Sequence, residues 1–205
     1  MEGNSLSARL RERRWQSMLA TFPDLPQMRV IDIGGTQAFW SRHEQHPAQV
    51  TLVNLLPQDP AGPEWLNSIV ADACDLSPDL GEFDLALSNS VIEHVGGHWR
   101  RERFAEGIRR LAPRYWVQTP YRYFPIEPHF VFPFLQHLPR PLQARVVVNW
   151  PLGNYGGLRD FDAAMGHVQN IELLTRGEMA RYFPDAEIVT EHALGLPKAL
   201  IAVKR

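Results

Sequence analysis

Short apolar runs alternate with amphipathic segments along most of the chain, and the period of each segment predicts its element. Residues 5–20 repeat apolar side chains at helical spacing. Leu6, Leu10, Trp15, Met18 and Leu19 share one face, Arg9, Arg11, Arg13 and Arg14 lie mostly elsewhere, and Pro23 and Pro26 end the helix. Strands are expected at 28–33, 50–54, 68–72, 83–88 and 114–118. A short helix is expected near 37–45 and a longer one at 99–111, where Phe104, Ile108 and Leu111 share a face. Residues 57–63 read as a Pro-rich loop. Thr175 and Glu178 have the spacing of a capping box, and Pro184 closes the helix they open. Two last strands, 186–190 and 199–204, flank a Gly195/Pro197 turn and can pair as a hairpin.

Most of these strands are nearly continuous apolar runs, so both of their faces are buried. Strands of that kind, alternating with helices, imply an α/β fold with a mainly parallel sheet covered on both sides. Residues 113–151 break the rhythm, because they carry eight of the 17 prolines. The stretch 119–170 therefore reads as a Pro- and aromatic-rich lid or insertion after the fifth strand. At 205 residues the chain suits a single domain over 1–205, with an N-terminal helix within 1–25.

Composition narrows the function. The net charge of −2 offers no global pull toward nucleic acid or an anionic membrane, so neither partner is expected. No apolar run approaches the ~20 residues of a membrane span, and the N-terminal stretch lacks the apolar core of a secretory signal. A lone Cys74 excludes an internal disulfide and a zinc site built from four cysteines, and fits a reducing, cytoplasmic setting. Lys198 and Lys204 are the only lysines, which excludes a mid-chain catalytic lysine.

Four segments carry candidate binding chemistry. In Val30-Ile31-Asp32-Ile33-Gly34-Gly35-Thr36 an apolar strand runs into an acid and then two glycines, which let backbone approach a ligand. Asn54 and Leu55 end the second strand about 20 residues later, where nucleotide-binding sheets place a ribose partner. After the third strand, Asp72 offers a carboxylate and Ala73 a backbone N–H, and Asp72 suits a helix cap equally well. The fourth strand ends in Ser88-Asn89-Ser90, small polar residues able to hold an ammonium group, followed by the acid–His pair Glu93-His94.

With VIDIGG, FDLALSNSVIEHV and the terminal hairpin together, residues 28–204 resemble the class I S-adenosylmethionine-dependent methyltransferases, most nearly the small type 11 branch. The resemblance implies a Rossmann-like seven-stranded sheet of order 3-2-1-4-5-7-6, its last strand antiparallel, with helices on both faces. It implies S-adenosyl-L-methionine as cofactor. Asp32, Gly34, Gly35 and Thr36 would face its methionine part, Asn54 its ribose, Leu55, Asp72 and Ala73 its adenine, and Ser88, Asn89 and Ser90 its amino group. The family's turn usually carries glycines two, four and six positions after the acid, and here those positions are Gly34, Thr36 and Ala38. The family usually ends its second strand in Asp or Glu. A carboxylate at 54 would therefore be expected to hold ribose more tightly than the amide does.

The segment after the fifth strand, from Gln118 to His129, should overhang the same edge of the sheet. Glu127 and His129 are the candidate catalytic pair for removing an acceptor's proton, with His94 in reserve. The aromatics there point to a small-molecule or a glycosylated or lipid-linked acceptor, and serve equally well as a satellite core. No metal site is expected. His94 and His98 stand at i, i+4 beside Glu93, but Gly96-Gly97 interrupts the helix they would need. Cys74 reads as structural, and the arginines of 100–110 as a solvated face. Two rivals remain: a non-catalytic module that binds the same cofactor, and a nicotinamide oxidoreductase. The second lacks a full G-x-G-x-x-G and any Tyr-x-x-x-Lys pair.

Overall fold

The computed structural model describes residues 6–58 and 62–205. Residues 1–5 of the expected N-terminal helix, the side chains of Leu6 and Ser7, and residues 59–61 of the Pro-rich loop lie outside them. The chain runs α1 (Leu6–Thr21), β1 (Arg29–Ile33), α2 (Gln37–Trp40), β2 (Gln49–Asn54), β3 (Leu66–Val70) and β4 (Leu85–Asn89). It continues with α3 (His98–Leu111), β5 (Arg114–Pro120), β6 (Ile126–Glu127), β7 (Phe132–Pro133), α4 (Arg140–Val148) and α5 (Phe161–Gln169). It closes with α6 (Arg176–Tyr182), β8 (Glu187–Ala193) and β9 (Leu196–Lys204).

Seven strands form one sheet in the order β3-β2-β1-β4-β5-β9-β8. Counted within that sheet alone, this is the expected order. β9 runs antiparallel to β5, so β8 regains the common direction. The β8–β9 hairpin turns on Leu194 and Gly195, both at positive φ, as a tight two-residue connection requires.

Each central strand feeds two cores by simple alternation. Ile31, Val53, Ala86, Tyr115 and Ala202 face a layer containing Phe104 and Ile108 of α3 and Met179 of α6. Val30, Leu52, Leu87, Trp116 and Ile201 face the other side, under Trp15 and Met18 of α1 and Trp40 of α2. That double burial is why these strands read as unbroken apolar runs. The edge strand β3 is the exception, partly buried at best along its length. The capping box at Thr175 and Glu178 is formed as expected. The helix after the glycines is shorter than expected, a single turn capped by the Thr36 hydroxyl.

The insertion has a core of its own, built on Phe130, Leu135, Ala144, Val147, Ala164 and Val168. Tyr121 and Leu174 meet in an isolated bridge, so its two ends lie side by side. Of the arginines expected on a solvated face of α3, Arg100 and Arg103 are exposed as expected and Arg101 is not. Arg101 is buried against Glu172, and Arg100 and Arg103 are spent on Asp72 and Asp75.

Candidate active site

The carboxyl ends of β1, β2 and β4 meet at the Gly34–Gly35 turn. Gly34 sits at φ +76°, and its N–H donates to the Val53 carbonyl at 2.8 Å, which ties the turn to β2. A Cβ at 34 would fall 2.3 Å from Val91 Cγ2. Gly34 is thus required by packing as well as by backbone conformation. A Cβ at 35 would fall 2.0 Å from the Asp32 carboxylate, which lies directly beneath the turn. That carboxylate is buried and accepts from Trp40 Nε1 at 2.9 Å. Burial raises its pKa to about 7 despite this bond.

Cavities flank the turn. One, of about 270 Å³, is lined by Asp32, Gly34, Gly35, Thr36, Asn89 and Ser90 and roofed from α1 by Arg14, Trp15 and Met18. The other, of about 360 Å³, is lined by Gly34, Asn54, Leu55, Asp72, Ala73 and His94. Ten of the eleven residues expected at the cofactor are therefore at these two spaces. Ser88 is the one that is not. It is fully buried, and its hydroxyl donates to the Ile33 carbonyl at 3.0 Å, pinning β4 to β1.

Two of these side chains are also engaged within the protein. Asn54 Nδ2 donates to the Gly35 carbonyl at 2.9 Å, so the amide holds the turn in place, a bond that a carboxylate cannot make. Asp72 is not a free acceptor. Arg100 grips both its oxygens at 2.8–2.9 Å, the Cys74 N–H donates to one of them, and these bonds hold its pKa low. Cys74 is buried, as a structural residue should be.

A third cavity, of about 390 Å³, opens beside the first two. It shares Ser90 and Arg14 with one and His94 with the other. His129, Gln118, Asn154 and Lys198 also line it, and among the described residues Phe124 is the one phenylalanine, tyrosine or tryptophan on its wall. The aromatics of the insertion have gone mainly into its own packing, as Phe132 against Trp150 and Phe130 against Tyr155 illustrate. Ser90 adopts φ 55° at this junction, and its hydroxyl donates to Gln118 Oε1 at 3.1 Å. Gln118 is buried and also accepts from Arg14, whose guanidinium pairs with Glu191, so α1 is tied to β5 and β8.

His129 is only 6 % exposed. Its Nδ1 lies 2.7 Å from Glu127 Oε1, while Glu127 Oε2 accepts the Phe130 N–H at 2.8 Å. Both oxygens of Glu127 are engaged inside the protein. Glu127 thus holds His129 in place. Burial, the largest single influence, opposes charging of His129, but the Glu127 hydrogen bond and the charges of Glu127 and Glu93 together outweigh it, and the pKa is raised. His129 Nε2 faces His94 Nε2 at 3.1 Å, with the rings nearly perpendicular. Burial, then the neighbouring His129, lowers the His94 pKa to about 4. Glu93 is wholly buried, and its Oε2 accepts from Thr119. Its Oε1 has no hydrogen-bond partner among the described residues and lies 4.0 Å from His129 Nε2. Burial raises its pKa to about 7. His98 turns away, to the Tyr182 hydroxyl at 2.9 Å.

No protein-family model and no curated protein matches the sequence. Solved structures do match it. An S-adenosylmethionine-dependent methyltransferase from Mesorhizobium loti aligns at TM-score 0.60 and 18 % identity, covering 97 % of this chain and 99 % of that one. Magnesium protoporphyrin IX methyltransferase from Synechocystis PCC 6803, crystallised with S-adenosylhomocysteine, aligns at 0.58 and 12 % over 97 % and 85 %. The small RNA methyltransferase HEN1 aligns at 0.61 and 14 % over 99 % of this chain and 26 % of its own. The fold is that of the class I methyltransferases. Sequence reasoning missed Arg14, Trp15 and Met18 as a roof over the site, because α1 precedes every motif. The one available signal was the unusual density of arginine and apolar side chains along that helix.

Proposed function

We propose that the chain is an S-adenosylmethionine-dependent methyltransferase acting on a small, polar acceptor in a reducing cytoplasm. The observation that carries this reading is the junction of the three cavities, with Ser90 and His94 standing between the pair at the glycine turn and the third beside His129. The site fits the cofactor on its own terms. Asn89 Oδ1, a buried acceptor without a partner among the described residues, and the Asp32 carboxylate suit an ammonium group. Asn54 Oδ1 remains to receive a ribose hydroxyl, while exposed Leu55 and the backbone of Ala73 suit an adenine ring. When bound, the cofactor supplies an electrophilic methyl group on a sulfonium. The residues of the third cavity then hold the acceptor and promote loss of its proton at the His129 end.

The acceptor's character follows from the lining. Lys198, Gln118, Asn154 and the two histidines favour oxygen-bearing groups, as in a glycosylated or otherwise hydroxylated metabolite, over a flat apolar one. Calorimetry with S-adenosylmethionine and a nicotinamide dinucleotide in parallel tests the reading. Binding of the first alone is expected, and the reverse result would overturn it. Gly34→Val is a poor probe, because the new side chain would strike Val91 and disturb the fold. Asn89→Ala removes a proposed contact without that clash and should weaken cofactor binding. If the cofactor binds and no extracted metabolite accepts a methyl group, the chain is a binding module instead.

A further inference from the structure

The adjacent pair Glu93-His94 and the distant His129 bring donor atoms to one buried point at the wall of the third cavity. We propose that Glu93, His94 and His129 form a binding site for one divalent first-row transition metal ion, with Glu127 as the outer partner that orients His129.

The donor atoms of the three all lie within 4.8 Å of one another. His94 Nε2 and His129 Nε2 are 3.1 Å apart, and Glu93 Oε1 is 4.0 Å from the latter. Ligands at ~2.1 Å from one ion stand roughly 3 to 4.2 Å apart, so small side-chain rotations would close the set around a cation. Glu93 Oε1 is an unpartnered oxygen on a wholly buried side chain facing His129, and a cation would satisfy it.

The outer partners are also in place. His129 Nδ1 donates to Glu127 Oε1, which leaves a lone pair on the neutral ring's Nε2 at the cluster. Glu127 is itself held by the Phe130 N–H, and Glu93 by the Thr119 hydroxyl. A ligating imidazole backed by a hydrogen-bonded carboxylate is the arrangement that fixes ring orientation at metal centres. Two imidazoles and one carboxylate favour zinc, cobalt, manganese or iron over magnesium or calcium, which prefer oxygen alone.

Three protein ligands leave further positions open, and the site adjoins the third cavity. An oxygen of the acceptor would occupy one of them, and a metal-bound hydroxyl gives its proton to water more readily than a free one. His129 would then act as a ligand there, with the cation promoting proton loss. Metal binding at these donors does not depend on the methyl-transfer reading; only the acceptor's place on the metal does.

The test is to strip the full-length protein with a chelator and titrate it with cobalt(II), following visible absorption and calorimetric heat. One ion per chain is expected, with the intense visible bands of a site of low coordination number. Glu93→Gln, which can keep the Thr119 hydrogen bond, should weaken binding at least ~10-fold, as should His94→Ala. His98→Ala removes a nearby histidine outside the cluster and should leave binding unchanged. Absence of bands and heat at about millimolar cobalt in folded protein would overturn the proposal, leaving a plain imidazole–imidazole hydrogen bond. Equal loss in His98→Ala would overturn it too. Cofactor calorimetry on the same samples separates the two readings, since either ligand can fail alone.

Discussion

The glycine-turn side of the cleft and the His129 side use different construction. At the turn, Asp32, Gly34, Gly35 and Thr36 are chain neighbours, and Asn54 and Asn89 reach them through strand register and a single hydrogen bond. At the other side, Thr119 meets Glu93 across 26 residues and His129 meets His94 across 35. The insertion that carries His129 also has its own small core. One side is thus a property of the sheet, while the other is completed by an element with a core of its own. A scaffold of this kind can host different sites, because the part that builds the site need not be the part that builds the sheet.

If the two sides are independent, a variant on one should leave the other intact. The greatest loss is expected from His129→Ala, which should lower turnover by ~10²-fold or more while cofactor affinity barely changes. Comparable loss of both in a well-folded variant would mean that the sides are not separable. Glu127→Gln tests the positioning role. It keeps the shape but removes the charge that orients His129, and should lower kcat by about 10-fold with little change in KM.

Asp32 probes the turn side. Its folded pKa of about 7 lies above the ordinary carboxyl value of 3.8, so the folded state holds a proton that the unfolded chain has released between those values. Stability should therefore fall as pH rises from about 4 to 7, by up to ~1.4 kcal/mol per pH unit from this group. Asp32→Asn should flatten that slope in melts recorded across the range. An unchanged slope would show that Asp32 is ionised throughout.

Weaker effects follow at Asn54 and Arg100. Asn54→Asp sets a carboxylate against the Gly35 carbonyl and loses the Nδ2 bond, so cofactor binding should weaken by about 3- to 10-fold. Tighter binding in calorimetry would show that ribose contacts outweigh the turn. Arg100→Ala breaks a pair in which both side chains are more than a third exposed. It should cost at most ~1 kcal/mol, a few degrees in Tm, with cofactor affinity within about threefold. A larger loss of affinity would make the Arg100–Asp72 pair part of the adenine pocket.

Read alone, the chain specifies the sheet, its order through the resemblance, and most of the turn. Apolar runs record double burial directly, and Gly34, Gly35 and the strand ends are set by local backbone needs that leave a local trace. The sequence also marks His129 and Glu127 as chemistry-bearing residues. What these residues do emerges only once the elements are packed. Ser88 reads like its neighbours, yet strand alternation turns its hydroxyl inward to the Ile33 carbonyl. Asp72 reads as a free carboxylate until α3 brings Arg100 onto it. His94 finds its partner in His129 and not in His98, four residues away, because the chain turns at Gly96 and Gly97 before α3 begins. Spacing along the chain specifies contacts within a helix or strand. Contacts between elements depend on how the apolar faces stack, and that packing put Glu93, His94 and His129 around one point.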